Sequence, residues 1–272
     1  MPILLAQKLK LTLKRVLPRQ IVQLVQRTRY ARVIGRIGED FEQDFQVVRA
    51  LLNNGDAAVD LGANMGSYTK FMADCVGAAG KVYSIEPIPE TFDILQHMIT
   101  RMDFSHVVAT RCAVSDSIGE VTLEIPRLAH GDENRYEARI VETPSSQGMR
   151  LVRTASTTVD TILVNEEREV ALIKCDVEGH EKNVIKGAKR SISKFKPAWL
   201  IEIWGDPDED GSAASKMFVM MQGFGYKAYW FDGRKLRVRK IGETSTNYFF
   251  LFPHHGDKIM KKERGREILT RG

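Results

Sequence analysis

The stretch Val59-Asp60-Leu61-Gly62-Ala63-Asn64-Met65-Gly66-Ser67-Tyr68-Thr69 decides the fold. It joins a short apolar run, 57–61, to a helical pattern through a glycine turn, which predicts a strand, a tight turn and a helix. In a doubly wound sheet such a turn lies outside the carboxyl end of its strand, where ligands bind. Because glycine has no Cβ, Gly62 permits a sharp turn and a close approach of ligand atoms, and Gly66 is expected to relieve the contact between helix and strand.

The spacing of the two glycines distinguishes between nucleotide cofactors. A dinucleotide site has the pattern G-x-G-x-x-G, whereas this turn has G-x-x-x-G, with Asn64 in the place of the second glycine. A side chain at that position would crowd a pyrophosphate, and the carboxylate of Asp60 would repel it. A carboxylate suits a cation instead, and S-adenosylmethionine carries an ammonium and a sulfonium group but no phosphate. We therefore predict S-adenosylmethionine as the cofactor.

A second carboxylate follows the next predicted strand, 81–85. Glu86 stands at its end, 24 residues after Gly62, and a carboxylate there can accept hydrogen bonds from both hydroxyls of a ribose. Pro87 removes a backbone amide and stiffens the turn. The residues expected to meet the adenine, at the end of the third strand, are Cys112 and Ala113 through their backbone groups, with Asp116 nearby.

The run Ile173-Lys174-Cys175-Asp176-Val177-Glu178-Gly179-His180-Glu181 ends another predicted strand and therefore faces the same crevice as Gly62 and Glu86. Carboxylates and an imidazole at this density are costly unless they are solvated, paired or used in chemistry. The glycine within the run allows a tight turn that can aim the imidazole inward. The run is therefore a candidate catalytic segment.

Each polar residue of this run has a catalytic and a structural interpretation. His180 is the preferred general base, because its ordinary pKa of about 6.5 lies near working pH; the alternative is a surface residue at a helix cap. Asp176 would position an ammonium group or an acceptor hydroxyl, or cap the strand end. Glu178 would pair with Lys174 or with the acceptor. Asp176, Glu178 and Glu202 could also bind Mg²⁺, although no spacing demands it.

Six segments together carry a family resemblance. They are VDLGANMGSYT (59–69), VYSIEP (82–87), AVSD (113–116), TTVDTI (157–162), IKCDVEGHE with VIKGA (173–188) and WLIEI (199–203). Over about residues 55–253 the chain resembles the FkbM family of S-adenosylmethionine-dependent methyltransferases. The resemblance implies methyl transfer to an oxygen, with sugar and polyketide hydroxyls among the acceptors.

The resemblance also implies the fold and the site residues. The fold is α/β, a Rossmann-like class I methyltransferase fold with a seven-stranded, mainly parallel sheet and an antiparallel edge strand. The catalytic residues are expected to be His180, Asp176 and Glu178. The residues expected to bind the cofactor are Asp60, Gly62, Ala63, Asn64, Gly66, Ser67, Tyr68, Glu86, Pro87, Cys112, Ala113 and Asp176.

Composition divides the chain into three predicted parts. Residues 51–253 form the methyltransferase domain, in which the polar segment 126–150 is expected to be a loop or an exposed hairpin, and 254–272 form a charged tail. Residues 1–50 form a basic, amphipathic helical extension, since positions 1–40 hold nine Lys and Arg against two acidic side chains, whereas the whole chain has a net charge of +5. The body is therefore about neutral, which argues against a nucleic-acid groove.

The basic extension has two interpretations. Its apolar stripes (Leu5, Leu9, Leu13 and Val16, then Ile21, Leu24, Val25 and Thr28) favour helices packed on the domain or on a second copy in a homo-oligomer. The alternative is a helix lying on an acidic membrane face. The order of apolar and basic residues argues against a secretory signal. Three widely spaced cysteines favour a cytoplasmic location, either free or peripheral at the inner membrane face.

Three functions remain open from the residues alone. The leading one is an O-methyltransferase that acts on a small-molecule or glycan hydroxyl. A nucleic-acid methyltransferase is less favoured, because the acidic run 173–181 would repel phosphates. The third is a non-catalytic scaffold that binds the adenosyl group without using Asp176 or His180.

Overall fold

The computed structural model describes residues 19–128, 133–143 and 149–269. The helices are α1 (Arg19–Ile34), α2 (Phe45–Leu51), α3 (Ser67–Val76), α4 (Pro89–Arg101), α5 (Val159–Ile162), α6 (Glu181–Lys186), α7 (Lys189–Phe195), α8 (Ala213–Gly223), α9 (Pro253–Met260) and α10 (Glu263–Ile268), with a 3₁₀ turn at Arg135–Glu137. The strands are β1 (Ala57–Leu61), β2 (Lys81–Ile85), β3 (Val107–Thr110), β4 (Ala113–Val114), β5 (Gly119–Ile125), β6 (Arg139–Val141), β7 (Arg150–Thr157), β8 (Val170–Cys175), β9 (Ala198–Glu202), β10 (Lys227–Phe231), β11 (Leu236–Val238) and β12 (Asn247–Leu251).

The main sheet has the strand order β3-β2-β1-β8-β9-β12-β10-β11 within the described ranges. The strands from β3 to β9 are parallel, and the chain leaves β1 towards β2 on one side but continues from β8 towards β9 on the other. The sheet therefore reverses its strand order between β1 and β8, and ligands bind outside the carboxyl ends of such neighbouring strands. Helices cover both faces, which confirms the predicted α/β class.

The two central strands are apolar along almost their whole length because both of their faces are buried. In β1, Ala58 packs into one cluster with Phe45 and Leu95, whereas Val59 packs into another with Phe218. Successive side chains of a strand point to opposite faces, so one strand supplies both clusters. The rigid centre of the sheet fixes the turns that follow β1 and β8.

The antiparallel edge differs in detail from the sequence prediction. The main sheet has eight strands instead of seven, because the three-residue strand β11 pairs with β10 after the Asp232-Gly233 turn. Asp232 Oδ1 accepts hydrogen bonds from the amides of Arg234 (2.8 Å) and Lys235 (2.6 Å), which closes this turn. Strand β12 lies inside the sheet, antiparallel to both β9 and β10. A strand as short as β11 leaves no periodic signal in the sequence.

A second sheet, with the order β4-β7-β5-β6, includes part of the segment predicted to be a loop or hairpin. Strand β6 pairs antiparallel with β5, so a hairpin is present there. Leu123, Ile125 and Val152 form a small apolar cluster with Ile88, two residues after Glu86. The second sheet therefore packs onto the turn that follows β2.

Both termini of the described chain pack on the domain. Helix α1 contacts α4, with Ala31 and Ile34 buried and an ion pair between Arg27 and Asp93. The stripe predicted for residues 1–16 lies outside the described residues. The predicted charged tail contains α9 and α10, whose Ile259 and Ile268 are buried. In the described residues no helix has both the length and the apolar character needed to cross a membrane. The domain boundaries remain predictions.

Candidate active site

The turn after β1 approaches the turn after β8 so closely that only glycine fits. Gly62 has a φ of +72°, and a Cβ built on it would lie 1.8 Å from the carbonyl oxygen of Asp176. The amides of Gly62 and Ala63 both donate to the carbonyl oxygen of Ile85, at 3.0 and 2.9 Å. Gly62 is therefore required by contact between two parts of the chain, in addition to any contact with a ligand.

The second glycine of the motif contacts a helix instead of the predicted strand. Gly66 has a φ of +98°, and a Cβ there would lie 2.5 Å from Met98 Cε and 2.8 Å from Leu95 Cδ1, both on α4. Gly66 therefore allows α4 to pack closely against the start of α3. Ser67 and Tyr68 follow in the first turn of α3, and both are partly exposed.

Glu86 joins two turns at the mouth of the crevice. Its Oε2 accepts the amide of Asn64 (2.9 Å) and its Oε1 accepts the amide of Ile88 (2.8 Å). The side chain is 4% exposed, and burial raises its pKa to about 7 although these amides oppose the rise. A carboxylate offers about four acceptor positions, so the predicted contact with a ribose would use those that remain.

The residues predicted to meet the adenine lie beside the second sheet. Cys112 and Ala113 are buried, and burial raises the pKa of the Cys112 thiol to about 11, so the thiol stays neutral. Asp116 is exposed on the surface nearby. His180 belongs to this end of the site, because its Nε2 lies 2.9 Å from Ser115 Oγ. Burial lowers the pKa of His180, although the charge of Asp116 opposes this.

Lys174 is the central residue that the sequence analysis did not select. Its Nζ lies 2.9 Å from Asp176 Oδ2, 3.8 Å from Asp60 Oδ1 and 4.9 Å from the centre of the Tyr68 ring. Its hydrogen bond to Asp176, and not the predicted pairing with Glu178, fixes the ammonium group. A lysine within the otherwise apolar strand β8 was the available signal. Burial disfavours the charged amine, but both carboxylates overcome this and raise the pKa of Lys174.

Asp60 faces the interior below the turn. Its carboxylate is fully buried, and Thr69 Oγ1 donates to Oδ2 at 2.6 Å. Burial raises the pKa of Asp60, while the charge of Lys174 and the Thr69 hydroxyl oppose that rise. The cation beside Asp60 is therefore the ammonium of Lys174, whereas the sequence predicted the cofactor's own cation.

Three carboxyl groups meet at the ends of β8 and β9. One oxygen from each of Asp176, Glu178 and Glu202 lies within 4.8 Å of the others. Burial, a hydrogen bond with Asp176 and the neighbouring negative charges raise the pKa of Glu202 to about 8. Burial would raise the pKa of Asp176 as well, but Lys174 and Glu202 lower it below its ordinary value. A proton shared by this pair therefore resides on Glu202 in preference to Asp176.

Glu178 occupies a strained turn in this acidic cluster. Its φ is +54°, and burial together with the charges of Asp176 and Glu181 raises its pKa to about 7. The three carboxyl groups are the set predicted to hold Mg²⁺, and they offer the hard oxygen ligands that this ion prefers. Binding of such an ion would require the proton of Glu202 to leave.

The segment 133–141 lies near the acidic cluster through Glu137 and near helix α1 through Tyr136, and we call the segment and α1 together the wall. Arg150 bridges Glu90 at the start of α4 (2.8 Å) and Glu133 (3.0 Å), which anchors this segment to the rim of the crevice. The carboxylate of Glu137 lies close enough to contribute to the raised pKa of Glu178. On the same wall, burial and then the neighbouring Tyr30 raise the pKa of Tyr136.

The crevice fits S-adenosylmethionine by its chemistry. The glycine turn exposes backbone, Glu86 retains acceptor positions for hydroxyls, and Lys174 is already neutralised by Asp60 and Asp176, so it offers little free charge to a phosphate. One oxygen of Asp60 is buried without a hydrogen bond in the described structure. When bound, the methionine end of the cofactor would contact Asp176 and the backbone amides of the turn after β1.

Comparison with known proteins finds methyltransferases. The family described as "Methyltransferase FkbM domain" matches residues 60–228, more than half of the chain. The chain is 28% identical over 155 residues to the hexuronic acid methyltransferase AglP of Haloferax volcanii, which covers 56% of this chain and 58% of that protein. A protein-L-isoaspartate O-methyltransferase of Methanocella arvoryzae is 32% identical over 56 residues, 21% of this chain and 30% of that protein. The chain thus spans less than two thirds of either relative.

A solved structure with a similar fold is the FkbM methyltransferase of Methylobacillus flagellatus, with a TM-score of 0.45 and 16% identity, covering 75% of this chain and 48% of that one. The Rossmann-like fold and the family match place the chain among the S-adenosylmethionine-dependent methyltransferase domains. More narrowly, the chain belongs to the FkbM methyltransferase family. Membership in a family of methyltransferases favours an enzyme over the scaffold alternative.

Proposed function

We propose that the chain transfers a methyl group from S-adenosylmethionine to a hydroxyl of a sugar or glycan. The observation that carries this proposal is the cluster of Asp176, Glu178 and Glu202 beside the glycine turn, with carboxylate oxygens within 4.8 Å of one another. Carboxylates orient hydroxyls by accepting their hydrogen bonds, and one can take the proton that methylation releases. The Haloferax volcanii relative is named a hexuronic acid methyltransferase, which supports a sugar acceptor.

The three carboxyl groups have different tasks in this proposal. When bound, the cofactor supplies a methyl group on a positively charged sulfur. Asp176, kept ionised by Lys174, accepts a hydrogen bond from a neighbouring hydroxyl of the sugar and so orients the reacting oxygen for in-line attack. Glu178 takes the proton that the reacting hydroxyl loses as its bond to the methyl carbon forms and the bond between that carbon and sulfur breaks. Protonated Glu202 donates to Asp176 and holds that carboxylate in place.

We assign the base to Glu178 instead of His180. The imidazole is engaged with Ser115 at the adenine end, and no hydrogen bond or ion pair joins it to the acidic cluster among the described residues. A pKa of about 7 gives Glu178 the balance between availability and basicity that a general base needs at neutral pH.

The acceptor is expected to lie between the acidic cluster and the wall of segment 133–141 and α1. Tyr30 and Tyr136 are exposed there and present flat apolar surfaces that suit the CH face of a sugar ring. Glu137 adds a further acceptor for hydroxyls near Glu178. A nucleic acid is a poorer candidate, because its phosphates would meet this concentration of carboxylates.

The test is transfer of a labelled methyl group from S-adenosylmethionine to separated glycan, glycolipid, small-metabolite and nucleic-acid pools. Label that enters a hydroxyl of a glycan or glycolipid, located by fragmentation of the product, is the expected result. Label confined to the metabolite pool would indicate that the acceptor is a hydroxyl of the polyketide type instead of a sugar. Label confined to nucleic acid would contradict the proposal.

Glu178→Gln is expected to lower kcat about a hundredfold, because the hydroxyl loses its proton acceptor while the side chain keeps its size. Calorimetry should find the affinity for S-adenosylmethionine unchanged. Glu209→Gln, an exposed acid outside the site, is the matched control and should retain full activity. Full activity in Glu178→Gln, with a large loss in His180→Ala, would return the role of base to His180.

The pH dependence of kcat should follow ionisation of the base. Since Glu178 accepts a proton only when ionised, activity should fall about tenfold per pH unit below a pKa of about 7. It should fall again above a pKa of about 8, where Glu202 loses the proton that it donates to Asp176. A pH profile of the initial rate under saturating substrates measures this. A profile that stays flat from pH 5.5 to pH 8.5, or one whose acid limb survives in Glu178→Gln, would contradict the assignment.

A further inference from the structure

Helix α1 has a face that the domain leaves uncovered. Its inner side is fixed on α4 through Ala31, Ile34 and the Arg27–Asp93 ion pair. Away from α4 the apolar residues are 45% to 59% exposed: Ile21 45%, Val33 53%, and Leu24 and Val25 each 59%. Exposed apolar side chains grouped along one stripe of a helix mark an interaction surface more often than scattered ones do.

The same stripe carries positive charge. Arg29, Arg32 and Arg36 are exposed and line a shallow groove together with Leu24, Val25, Thr28 and Val33. Within the described residues none of these arginines forms an ion pair with a carboxylate. We call this stripe the outer face of α1, made of Ile21, Leu24, Val25, Arg29, Arg32, Val33 and Arg36. It combines an apolar surface with unneutralised cations.

Charge argues against two occupants that this chain could supply. In a two-fold dimer through this face, Arg29, Arg32 and Arg36 would meet the same arginines of the other copy. The preceding segment, residues 1–18, carries Lys8, Lys10, Lys14 and Arg15 with no acidic residue, so it would also be repelled. A nucleic acid would satisfy the arginines but would leave Leu24 and Val25 in water.

We propose that the outer face of α1 binds an anionic lipid surface, with the helix lying in the plane of the interface. The apolar side chains would enter the boundary between headgroups and acyl chains, and the arginines would pair with lipid phosphates. The helix also carries Tyr30, which lies beside Tyr136 on the wall next to the acidic cluster. Lipid binding there would bring this wall close to the membrane, whatever the acceptor is.

The test is sedimentation of the full chain with vesicles of phosphatidylcholine alone or mixed with phosphatidylglycerol. We expect at least tenfold stronger binding to the anionic vesicles, weakened by added salt. The double variants Leu24→Ser/Val25→Ser and Arg29→Gln/Arg32→Gln should each lower that binding about tenfold. The matched controls are Val219→Ser, at a similarly exposed position on α8, and Lys216→Gln/Lys227→Gln, and they should bind as the parent chain does.

Four outcomes would overturn the proposal. These are absence of binding, equal binding to neutral vesicles, anionic binding that survives both α1 variants, and a dimer in sedimentation equilibrium that Leu24→Ser/Val25→Ser dissociates. The third would locate any lipid contact outside the outer face of α1, and the fourth would make a second copy its occupant. Because the substituted side chains are exposed, unchanged circular dichroism and melting are expected to accompany each variant.

Discussion

Gly62→Ala is expected to lower the free energy of unfolding by about 3–5 kcal/mol and to abolish cofactor binding. Two costs add. An alanine held at φ +72° carries the strain of a left-handed backbone, about 1–2 kcal/mol. Its Cβ would also lie 1.8 Å from the carbonyl oxygen of Asp176, so the turns after β1 and β8 must separate. Because Asp176 belongs to the displaced turn, the binding crevice changes shape together with the core.

Urea unfolding measures the first effect and calorimetry with S-adenosylmethionine measures the second. Gly55→Ala is the matched control, since Gly55 has a φ of +91° but no atom within 4 Å of its added Cβ. It should cost only about 1–2 kcal/mol, the backbone strain alone. Equal losses of stability in the two variants would show that the close approach of Gly62 to Asp176 does not matter.

Features set by neighbouring residues could be predicted from the sequence. The apolar run, the glycine and the helical pattern around Gly62 lie within one short stretch, so the order strand, turn, helix followed directly. Glu86 and Asp176 were assigned to strand ends for the same reason, and they do follow β2 and β8. Because carboxyl ends of neighbouring parallel strands share one edge, their proximity also followed from the fold class.

Features set by contacts between distant segments could not be predicted. From the sequence motif, the need for glycine at position 62 was attributed to a ligand. The structure shows a second reason, the carbonyl oxygen of Asp176, which tertiary packing brings next to Gly62. Histidine is a residue type that often acts as a catalytic base, yet the hydrogen-bond partner of the His180 ring is Ser115, at the edge of the second sheet. Strand β6 is too short for a periodic signal. The position of its polar segment beside the crevice depends on the ion pairs of Arg150 with Glu90 and Glu133, which join distant parts of the chain.

Lys174→Met is expected to destabilise the chain by about 3–5 kcal/mol, because it removes one partner of a buried ion pair and leaves the other charge behind. Methionine is unbranched like lysine and only one atom shorter, so the loss is electrostatic more than steric. Asp60 is fully buried, and without the ammonium only Thr69 stabilises its charge. Arg237→Met, which breaks an ion pair with Asp232 at the surface, is the control and should cost much less than Lys174→Met.

The electrostatic origin of this loss can be separated from packing by pH and by a double variant. In Lys174→Met the pKa of Asp60 should rise further, since burial then acts with less opposition. A carboxyl group whose pKa is higher in the folded than in the unfolded chain binds its proton more tightly when folded, so the loss of stability should shrink as the pH falls. Asp60→Asn/Lys174→Met removes both charges and should be more stable than Lys174→Met alone. If the double variant were instead less stable by the sum of two independent losses, Lys174 would act through packing and its pairing with Asp60 would contribute nothing.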